Sequence, residues 1–178
     1  KYREMTDYYT LWAHQIKTPI AAMRLTLQKE DTEVSRSLSR DLLRIEQYVE
    51  MVLTFLRLDS TSTDYVFQAC PLDAIIRKAA RRFSEEFIAR RLKLRYQPID
   101  AVVVTDAKWL GFVLEQVLSN GLKYTRTGGI TISMRGGSAL CVADTGVGIE
   151  AEDLPRIFEK GFTGNRGRED RQASGLGL

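Results

Sequence analysis

The first third of the chain carries two series of hydrophobic residues at helical spacing. The first series is Ile16, Ile20, Met23 and Leu27, and the second is Val34, Leu38, Leu42, Ile45, Val49, Val52 and Leu56. Steps of three and four residues place each series along one side of a helix, as in a packed helix pair. Because only the polar segment 28–33 separates them, we predict an antiparallel hairpin. Two helices alone bury too little surface, so we expect two copies to form a dimeric four-helix bundle.

The pattern changes after a stretch of small polar residues, which we interpret as a linker over 61–64. Apolar stretches of strand length then alternate with amphipathic stretches of helix length. We predict strands over 65–70, 92–97, 101–105, 130–134 and 139–143, and helices from Pro71 to about Arg91 and from Ala107, capped by Asp106, to Tyr124. The mixture predicts an α+β chain: the hairpin over 1–60, then an α/β sandwich over 65–178 with one sheet covered by helices on one face.

Composition and charge narrow the function classes. The 178 residues are 44% hydrophobic and 28% charged, as in a folded protein, and the net charge of +3 is too small for a dedicated polyanion binder. No apolar run reaches the roughly 18 residues that a membrane helix needs. One histidine and two cysteines cannot supply an ordinary four-ligand zinc site.

The single histidine has chemically distinctive neighbours. His14 and Thr18 are four residues apart and share a helix face, and Pro19 interrupts the backbone hydrogen bonding just beyond them. A neutral imidazole is a competent nucleophile at neutral pH. These residues favour a functional histidine, although a purely structural one stays open.

A second cluster follows one face of the helix predicted over 107–124. Gln116, Asn120 and Lys123 are spaced by four and three residues. An amide oxygen is a hard ligand that suits Mg²⁺, and a lysine can reach a bound phosphate. The same spacing would also fit an ordinary solvated helix face.

A third cluster begins where an apolar strand ends in Asp144. Its carboxylate can accept a hydrogen bond from an exocyclic amine such as that of adenine. Gly146 and Gly148 would let the backbone turn and approach a flat ring closely. An isolated Asp-x-Gly-x-Gly is also common in turns, so this motif indicates a nucleotide site only together with the other clusters.

The last segment combines aromatic residues with glycines. Phe158 and Phe162 precede a glycine- and arginine-rich stretch that would suit a lid over a ligand. Gly175 and Gly177 lie in a glycine-rich end that could cradle phosphates with backbone N–H groups. The chain contains no P-loop of the form GxxxxGK[ST].

The order of these motifs resembles a sensor histidine kinase of two-component signalling. His-Gln-Ile-Lys-Thr-Pro is followed by Asn-x-x-Lys-Tyr-Thr, Asp-x-Gly-x-Gly, Ile-Phe-Glu-x-x-Phe and Gly-Leu-Gly-Leu over essentially the whole chain. The resemblance implies a dimerisation and phosphoacceptor hairpin, then an ATP-binding domain of the gyrase and histidine-kinase type. It also implies ATP-dependent autophosphorylation on histidine, followed by phosphotransfer to an aspartate of a response regulator.

The resemblance implies a role for each matching residue. In the hairpin, His14 would accept the phosphoryl group beside Gln15, and Thr18 stands where family members orient water for dephosphorylation of the regulator. Asn120 would hold Mg²⁺, and Gln116 would be the second ligand. The other nucleotide-binding residues would be Lys123 at the phosphates, Tyr124 lining the pocket, Asp144 at the adenine amine, Gly146 and Gly148 at the pocket floor, Phe158 and Phe162 anchoring the lid, Arg166 steadying the transferred group, and Gly175 and Gly177 beside the phosphates.

The chain departs from the family pattern at several positions. Gln15 stands where the family usually has Glu or Asp, and an amide cannot take up a proton, so we expect slower autophosphorylation. Gln116 replaces an asparagine, and Ala173 replaces a frequent glycine. Family members continue beyond Gly-Leu-Gly-Leu, so we expect a C-terminally incomplete domain with weakened nucleotide affinity.

The resemblance also implies partners and location. It implies a homodimer, a response-regulator receiver domain as partner, no nucleic acid, and membrane contact only through a missing N-terminal region. The chain would be the cytoplasmic portion of a bacterial membrane protein, and it resembles kinases that detect cell-envelope antibiotics together with an ABC transporter. Three rivals stay open: another ATPase or serine kinase of the same superfamily, a non-catalytic scaffold, and a nucleic-acid binder using Arg81-Arg82 and Arg90-Arg91.

Overall fold

The computed structural model describes residues 2–58, 65–159 and 162, and the side chains of all of these except 2–7, 10 and 55–58. The chain divides into two compact units, Lys1–Asp64 and Tyr65–Leu178. Within the described ranges, no helix is both long enough and apolar enough to cross a membrane.

The first unit is an antiparallel helical hairpin. Helix α1 spans Tyr2–Leu27 and helix α2 spans Glu33–Leu58. The start of α2 is capped reciprocally, because the Ser35 N–H donates to Thr32 Oγ1 at 3.0 Å and the Thr32 N–H donates to Ser35 Oγ at 2.9 Å. Ion pairs cross between the helices, with Lys17 Nζ 3.0 Å from Glu50 Oε1. The predicted hairpin is therefore present.

The apolar stripe of α2 proves to be two adjacent seams instead of the single predicted one. Leu42 and Val49 are buried, and Val49 packs with Ala13, Leu53 and Ile16. The other predicted members with described side chains are exposed: Val34, Leu38, Ile45 and Val52. On α1, Ile20 is buried but Met23 is exposed. The buried and the exposed seam lie only about 60–90° apart around the helix. Hydrophobic residues at steps of three and four fit either seam, so the sequence pattern predicted them as one.

The second unit mixes short strands and helices. Its elements are β1 (Gln68–Pro71), α3 (Leu72–Arg82), α4 (Ser84–Ala89), β2 (Lys93–Tyr96), β3 (Val102–Thr105), α5 (Ala107–Tyr124), β4 (Gly129–Arg135), β5 (Ala139–Asp144) and a 3₁₀ turn (Leu154–Arg156). The predicted helix from Pro71 to Arg91 is interrupted at Phe83, whose side chain is buried. Pro71 ends β1 and precedes α3, so it does not lie in the first helical turn.

The described strands form two sheets, where one was predicted. Strands β1 and β3 pair antiparallel, while β2 pairs parallel with β4, which pairs antiparallel with β5. Ile130 and Ile132 of β4 and Leu118 and Leu122 of α5 are almost completely buried. Helix α5 therefore lies against the three-stranded sheet, and burial of this apolar face is the main stabilising contribution.

Asp106 fixes the start of α5. Its Oδ1 accepts hydrogen bonds from the backbone N–H groups of Lys108, at 2.9 Å, and Trp109, at 3.1 Å, as an N-cap requires. Its Oδ2 accepts from the Val66 N–H at 3.0 Å. These bonds, led by that from Val66, hold the pKa of the Asp106 carboxyl below its ordinary value. The predicted cap and the predicted bounds of the helix agree with the structure.

Candidate functional site

The C-terminal turns of α5 carry the predicted phosphate and metal residues. Gln116, Asn120 and Lys123 are half-buried on one face of the helix, and Tyr124 is its last residue. The Lys123 ammonium lies 5.2 Å from the centroid of the Tyr124 ring. A cationic side chain and an aromatic ring therefore meet at the end of this helix.

The loop after β5 begins with Asp144. The carboxylate is exposed, and its Oδ1 accepts a hydrogen bond from the Gly146 N–H at 2.8 Å. A carboxylate offers about four lone-pair positions, so Asp144 can accept further hydrogen bonds from a ligand. Gly148 adopts a φ of +71° farther along the same loop.

Gly146 allows this loop to lie against the end of α5. A Cβ at residue 146 would come within 2.7 Å of both Asp144 Oδ1 and the Tyr124 carbonyl oxygen. The next residue reinforces the contact, because the Val147 N–H donates to the Tyr124 carbonyl at 3.2 Å. The structure thus brings the Asn120–Tyr124 end of α5 and the Asp144–Gly148 loop together.

Helix α5 also approaches β4 and β5 closely one turn earlier. A Cβ at Gly121 would lie 2.8 Å from Ile130 Cδ1 and 3.7 Å from Asp144 Cβ. Gly121, the residue after Asn120, therefore lies close to Asp144, although the two are more than twenty positions apart in sequence.

Thr145 is a supporting residue that the sequence interpretation missed. Its hydroxyl donates to the Thr127 carbonyl at 2.8 Å and accepts from the Gly129 N–H at 3.0 Å. Its own N–H donates to the Gly129 carbonyl at 3.1 Å. The loop after Asp144 is therefore tied to the start of β4. A threonine inside Asp-x-Gly-x-Gly was the available signal, because hydroxyl residues commonly hold turns.

A partly buried ion pair between α3 and α5 was also missed. Arg82 Nη1 of α3 lies 2.6 Å from Glu115 Oε2, and both side chains are less than 20% exposed. The pair joins α3 to the helix that carries the site. Its partners are 33 residues apart, so sequence spacing gave no signal for it.

The predicted lid residues are only partly described. Phe158 is 77% exposed, whereas Phe162 is half-buried with the Arg156 guanidinium 4.4 Å from its ring centroid. The Glu159 carboxylate pairs with Arg156 at 2.9 Å and raises the pKa of that guanidinium. The predicted residues Arg166, Gly175 and Gly177 lie outside the described residues.

The hairpin presents the predicted phosphoacceptor to solvent. His14, Gln15 and Thr18 are exposed on α1, and helical geometry puts His14 and Thr18 opposite the seam that packs on α2. The Thr18 hydroxyl donates to the His14 carbonyl at 3.2 Å, so it is engaged with its own helix. Lys17, between them in sequence, is paired with Glu50.

The residues at the end of α5 fit a hard cation held together with a phosphate. Asn120 and Gln116 supply neutral amide oxygens on one face, with the Lys123 ammonium beside them. Across the described ranges, no three His, Cys, Asp or Glu side chains cluster to hold a metal ion. A divalent ion at this position would therefore depend on amide oxygens together with oxygens of the ligand.

The ATP-binding class is supported by a family comparison. Residues 105–178 match the sequence model of the histidine kinase-, DNA gyrase B- and HSP90-like ATPases. A crystal structure of full-length ShkA in complex with AMPPNP is similar over 96% of this chain and 38% of the ShkA chain, with a TM-score of 0.59. At 24% sequence identity, this likeness is evidence for the fold.

Curated relatives named as sensor proteins or sensor histidine kinases match nearly the whole chain. Sensor protein BceS of Halalkalibacterium halodurans is 34% identical over 97% of this chain and 53% of its own length. Sensor histidine kinase YxdK of Bacillus subtilis is 31% identical over 96% and 54%, and GraS of Staphylococcus haemolyticus is 35% identical over 95% and 51%. Over nearly its whole length, the chain is therefore similar to sensor histidine kinases. It spans about half the length of these relatives.

These comparisons confirm two of the predictions. The resemblance to sensor histidine kinases is correct, and so is the α+β class with an N-terminal helical hairpin. The roles assigned to individual residues are not tested by likeness, and they stay predictions.

Proposed function

We propose that this chain transfers the γ-phosphoryl group of ATP to His14 and then passes it to an aspartate of a response-regulator receiver domain. One observation carries the nucleotide half of the proposal. The end of α5, with Asn120, Lys123 and Tyr124, meets the Asp144–Gly148 loop through the Val147 to Tyr124 hydrogen bond and the close packing of Gly146. The relatives' names support the kinase activity.

The loop would bind the purine. The exposed Asp144 carboxylate would accept a hydrogen bond from the exocyclic amine of adenine, while Gly146 holds its Oδ1 in place. Gly146 and Gly148 would leave the ring room to lie against the backbone. Tyr124 would line the same pocket from the helix side.

The end of α5 would receive the phosphates. Lys123 would offset their negative charge, and Asn120 with Gln116 would hold Mg²⁺ through amide oxygens. When bound, Mg²⁺ would neutralise charge on the triphosphate. Phe158 and Phe162 would anchor a lid, with Arg166 near the transferred group and Gly175 and Gly177 beside the phosphates.

His14 would be the nucleophile. A neutral ring nitrogen would attack the γ-phosphorus in line, so that an N–P bond forms, the bridging O–P bond breaks and ADP leaves. The other ring proton must then be released. Gln15 can accept a hydrogen bond from the ring but cannot take up that proton, so water would receive it. We further propose that Thr18 orients water when a phosphorylated regulator is dephosphorylated.

The proposed assembly is a homodimer formed by the hairpin. The exposed apolar seam of α2, defined here as Val34, Leu38, Ile45, Tyr48 and Val52, would be buried between copies as a four-helix bundle. We also propose that the whole protein is a membrane sensor of the antibiotic-sensing subfamily, with this chain on the cytoplasmic side. An ABC transporter would be its partner in sensing.

The decisive experiment is incubation of the protein, extended beyond Leu178 to its full length, with γ-labelled ATP and magnesium. Acid-labile, alkali-stable label should appear and should be lost in His14→Ala, which keeps nucleotide binding. Asn120→Ala should lose both label and binding. Label on serine, or release of free phosphate without a protein adduct, would instead indicate another enzyme of the ATPase superfamily. Failure to bind ATP at all would indicate a scaffold.

The residue after the histidine gives a sharper test. Gln15→Glu should raise the single-turnover rate of labelling, because a carboxylate can take up the ring proton. Gln15→Ala is the matched control, since it removes the hydrogen-bond acceptor without adding a base. An unchanged or slower rate for Gln15→Glu would refute the role assigned to position 15.

A further inference from the structure

The end of α5 is an unfavourable place for an anionic ligand unless its carbonyls are satisfied. The last four carbonyls of a helix have no partners within the helix, and they form the negative end of its dipole. Asn120, Lys123 and Tyr124 lie in these last turns, so a triphosphate bound there would meet this negative end. Some other part of the chain must therefore hold and offset these carbonyls.

Arg90 contacts one of them, that of Leu122, and also the carbonyl of Thr125, the cap residue that follows the helix. Its Nη1 donates a hydrogen bond to the Leu122 carbonyl, and its Nη2 donates to the Thr125 carbonyl at 2.7 Å. Leu122 and Thr125 are fully buried, so water has little access to their carbonyls and the guanidinium takes the place of a solvent hydrogen bond. One planar cation thus satisfies both carbonyls, which lie on either side of Lys123 and Tyr124.

The position of Arg90 is itself tightly set. Helix α4 ends in a Schellman motif, in which the Leu92 N–H donates to the Phe87 carbonyl and the Arg91 N–H donates to the Ile88 carbonyl. Arg91 accordingly adopts a left-handed φ of +54°. Glu86, one turn before Arg90, adds an ion pair at 3.5 Å. The turn at the end of α4 and the ion pair with Glu86 therefore hold the Arg90 guanidinium in place against α5.

The carbonyls that Arg90 holds lead directly to the site. They flank Tyr124, whose own carbonyl accepts from the Val147 N–H and packs against Gly146. Displacement of this backbone would move the end of α5 and the Asp144–Gly148 loop relative to each other.

We propose that Arg90 is a positioning residue of the nucleotide site. It fixes the end of α5 at the geometry in which its polar side chains and the Asp144–Gly148 loop face one bound nucleotide, and it offsets the charge of the helix carbonyls. It does not touch the nucleotide. This assignment rests on the proposed function, since it concerns the same site.

The test compares Arg90→Ala, Arg90→Lys and the matched control Arg91→Gly. Arg91→Gly removes the same charge one residue away and suits the left-handed turn. We expect Arg90→Ala to raise the dissociation constant of magnesium-ATP and the KM for ATP about tenfold, as the loss of charge-assisted hydrogen bonds implies. The labelling rate at saturating ATP should change much less. Arg90→Lys should recover part of the affinity, and Arg91→Gly should match the parent.

A second measurement needs no nucleotide. Amide hydrogen exchange should accelerate in Arg90→Ala over residues 120–125 and 144–148 but not in β4. This pattern distinguishes local displacement from general unfolding, and it can also be read in Arg90→Lys if the alanine variant folds poorly.

The outcomes separate the two proposals. A folded Arg90→Ala variant that binds magnesium-ATP as tightly as the parent would overturn the assignment of Arg90 alone. The assignment would also be overturned if amide exchange over residues 120–125 and 144–148 were equally fast in Arg90→Ala and in the parent. A full-length parent protein that binds no magnesium-ATP and takes up no label would overturn the proposed function, and the role of Arg90 in nucleotide binding with it.

Discussion

The two units bury their hydrophobic residues in different ways. In the hairpin, α1 and α2 bury one apolar seam against each other, while Val34 and Ile45 of α2 remain 68% and 47% exposed. In the second unit, α5 covers the three-stranded sheet so completely that Leu118, Leu122 and Ile130 are inaccessible to solvent. The hairpin is thus a unit that still needs a partner, whereas the second unit closes most of its core by itself.

The same contrast extends to the candidate chemistry. The hairpin offers one exposed nucleophile, His14, on the face turned away from its packed seam. The second unit builds its candidate site from backbone approaches that only small residues permit and from polar contacts such as those of Arg90 and Thr145. Under the proposed function, an accessible His14 could take a phosphoryl group from ATP and pass it to a regulator, while a fixed site would hold the nucleotide.

The largest expected effect lies at the pairing of β2 with β4. A Cβ at Gly129 would come 1.9 Å from the Lys93 carbonyl oxygen, so Gly129→Ala must push the strands apart. We expect a loss of about 3 kcal/mol or more in the free energy of unfolding of the second unit. Urea unfolding followed by Trp109 fluorescence in a Trp12→Phe background measures this unit alone.

Gly111→Ala is the matched control for that measurement. The nearest atom to its new Cβ would be Ile75 Cγ2 at 3.9 Å, an ordinary contact, and the residue lies inside α5. Alanine should therefore stabilise the unit by up to about 1 kcal/mol. If both variants unfold at the same urea concentration, close strand approach is not what constrains this unit.

The exposed seam of the hairpin is tested next. Ile45→Lys places a charge in the seam that we propose to be buried between copies, so the dimer dissociation constant should rise at least about tenfold. Leu25→Lys is the control, because Leu25 is exposed on the same face of α1 as His14. Sedimentation equilibrium measures both. Equal dissociation constants for the two variants would mean that the seam is not the dimer interface.

Asp106 connects the start of the second unit to α5. Asp106→Ala removes acceptors for three backbone N–H groups and should cost about 1–2 kcal/mol in the free energy of unfolding. Asp106→Ser should recover the helix cap but not the bond to Val66. An unfolding free energy for the serine variant equal to that of the parent would show that the Val66 contact contributes nothing.

The pH dependence of stability follows from the same carboxyl. Its pKa is lower in the folded chain than the ordinary 3.8, so its stabilising contribution is present above that pH and is lost as the pH falls through the lowered value. Asp106→Asn should therefore lose less stability than the parent in acid. Identical acid unfolding curves would contradict the lowered pKa.

A smaller effect is expected at high pH from Tyr96. Burial and the hydrogen bond to Asp73 raise the pKa of its hydroxyl to about 12, above the ordinary 10.0. The folded chain therefore keeps this proton more tightly, and stability should fall as the pH rises from about 10 to 12. Tyr96→Phe should remove that part of the slope. The measurement is the urea midpoint over this range, and equal slopes would refute the shift.

Local signals predicted the elements well where they were sufficient. The cap at Asp106 and the bounds of α5 follow from neighbouring residues, and the structure agrees with both. The interruption of the helix at Phe83 had no such signal, because no glycine or proline marks it and the reason is burial of Phe83 in the core. The separation of β1 and β3 from the other strands was also missed, since strand pairing joins distant residues.

The candidate site divides in the same way. The order of motifs was enough to identify the family and to list Asn120, Lys123 and Asp144. It gave no indication of Arg90, whose nearest partner in the site is 32 residues away, or of the Arg82 and Glu115 pair. Residues that bind a ligand keep a recognisable spacing, whereas residues that support them need only to be close in space.

By itself, the sequence determined the two helices of the hairpin, the residue types of the site and the order in which they occur. Only the tertiary structure decided which apolar seam is covered, how the strands pair, and which cation satisfies the end of α5. The physical reason is that helix periodicity and capping act over a few residues, whereas burial, strand register and carbonyl satisfaction depend on groups that chain folding brings together from far apart.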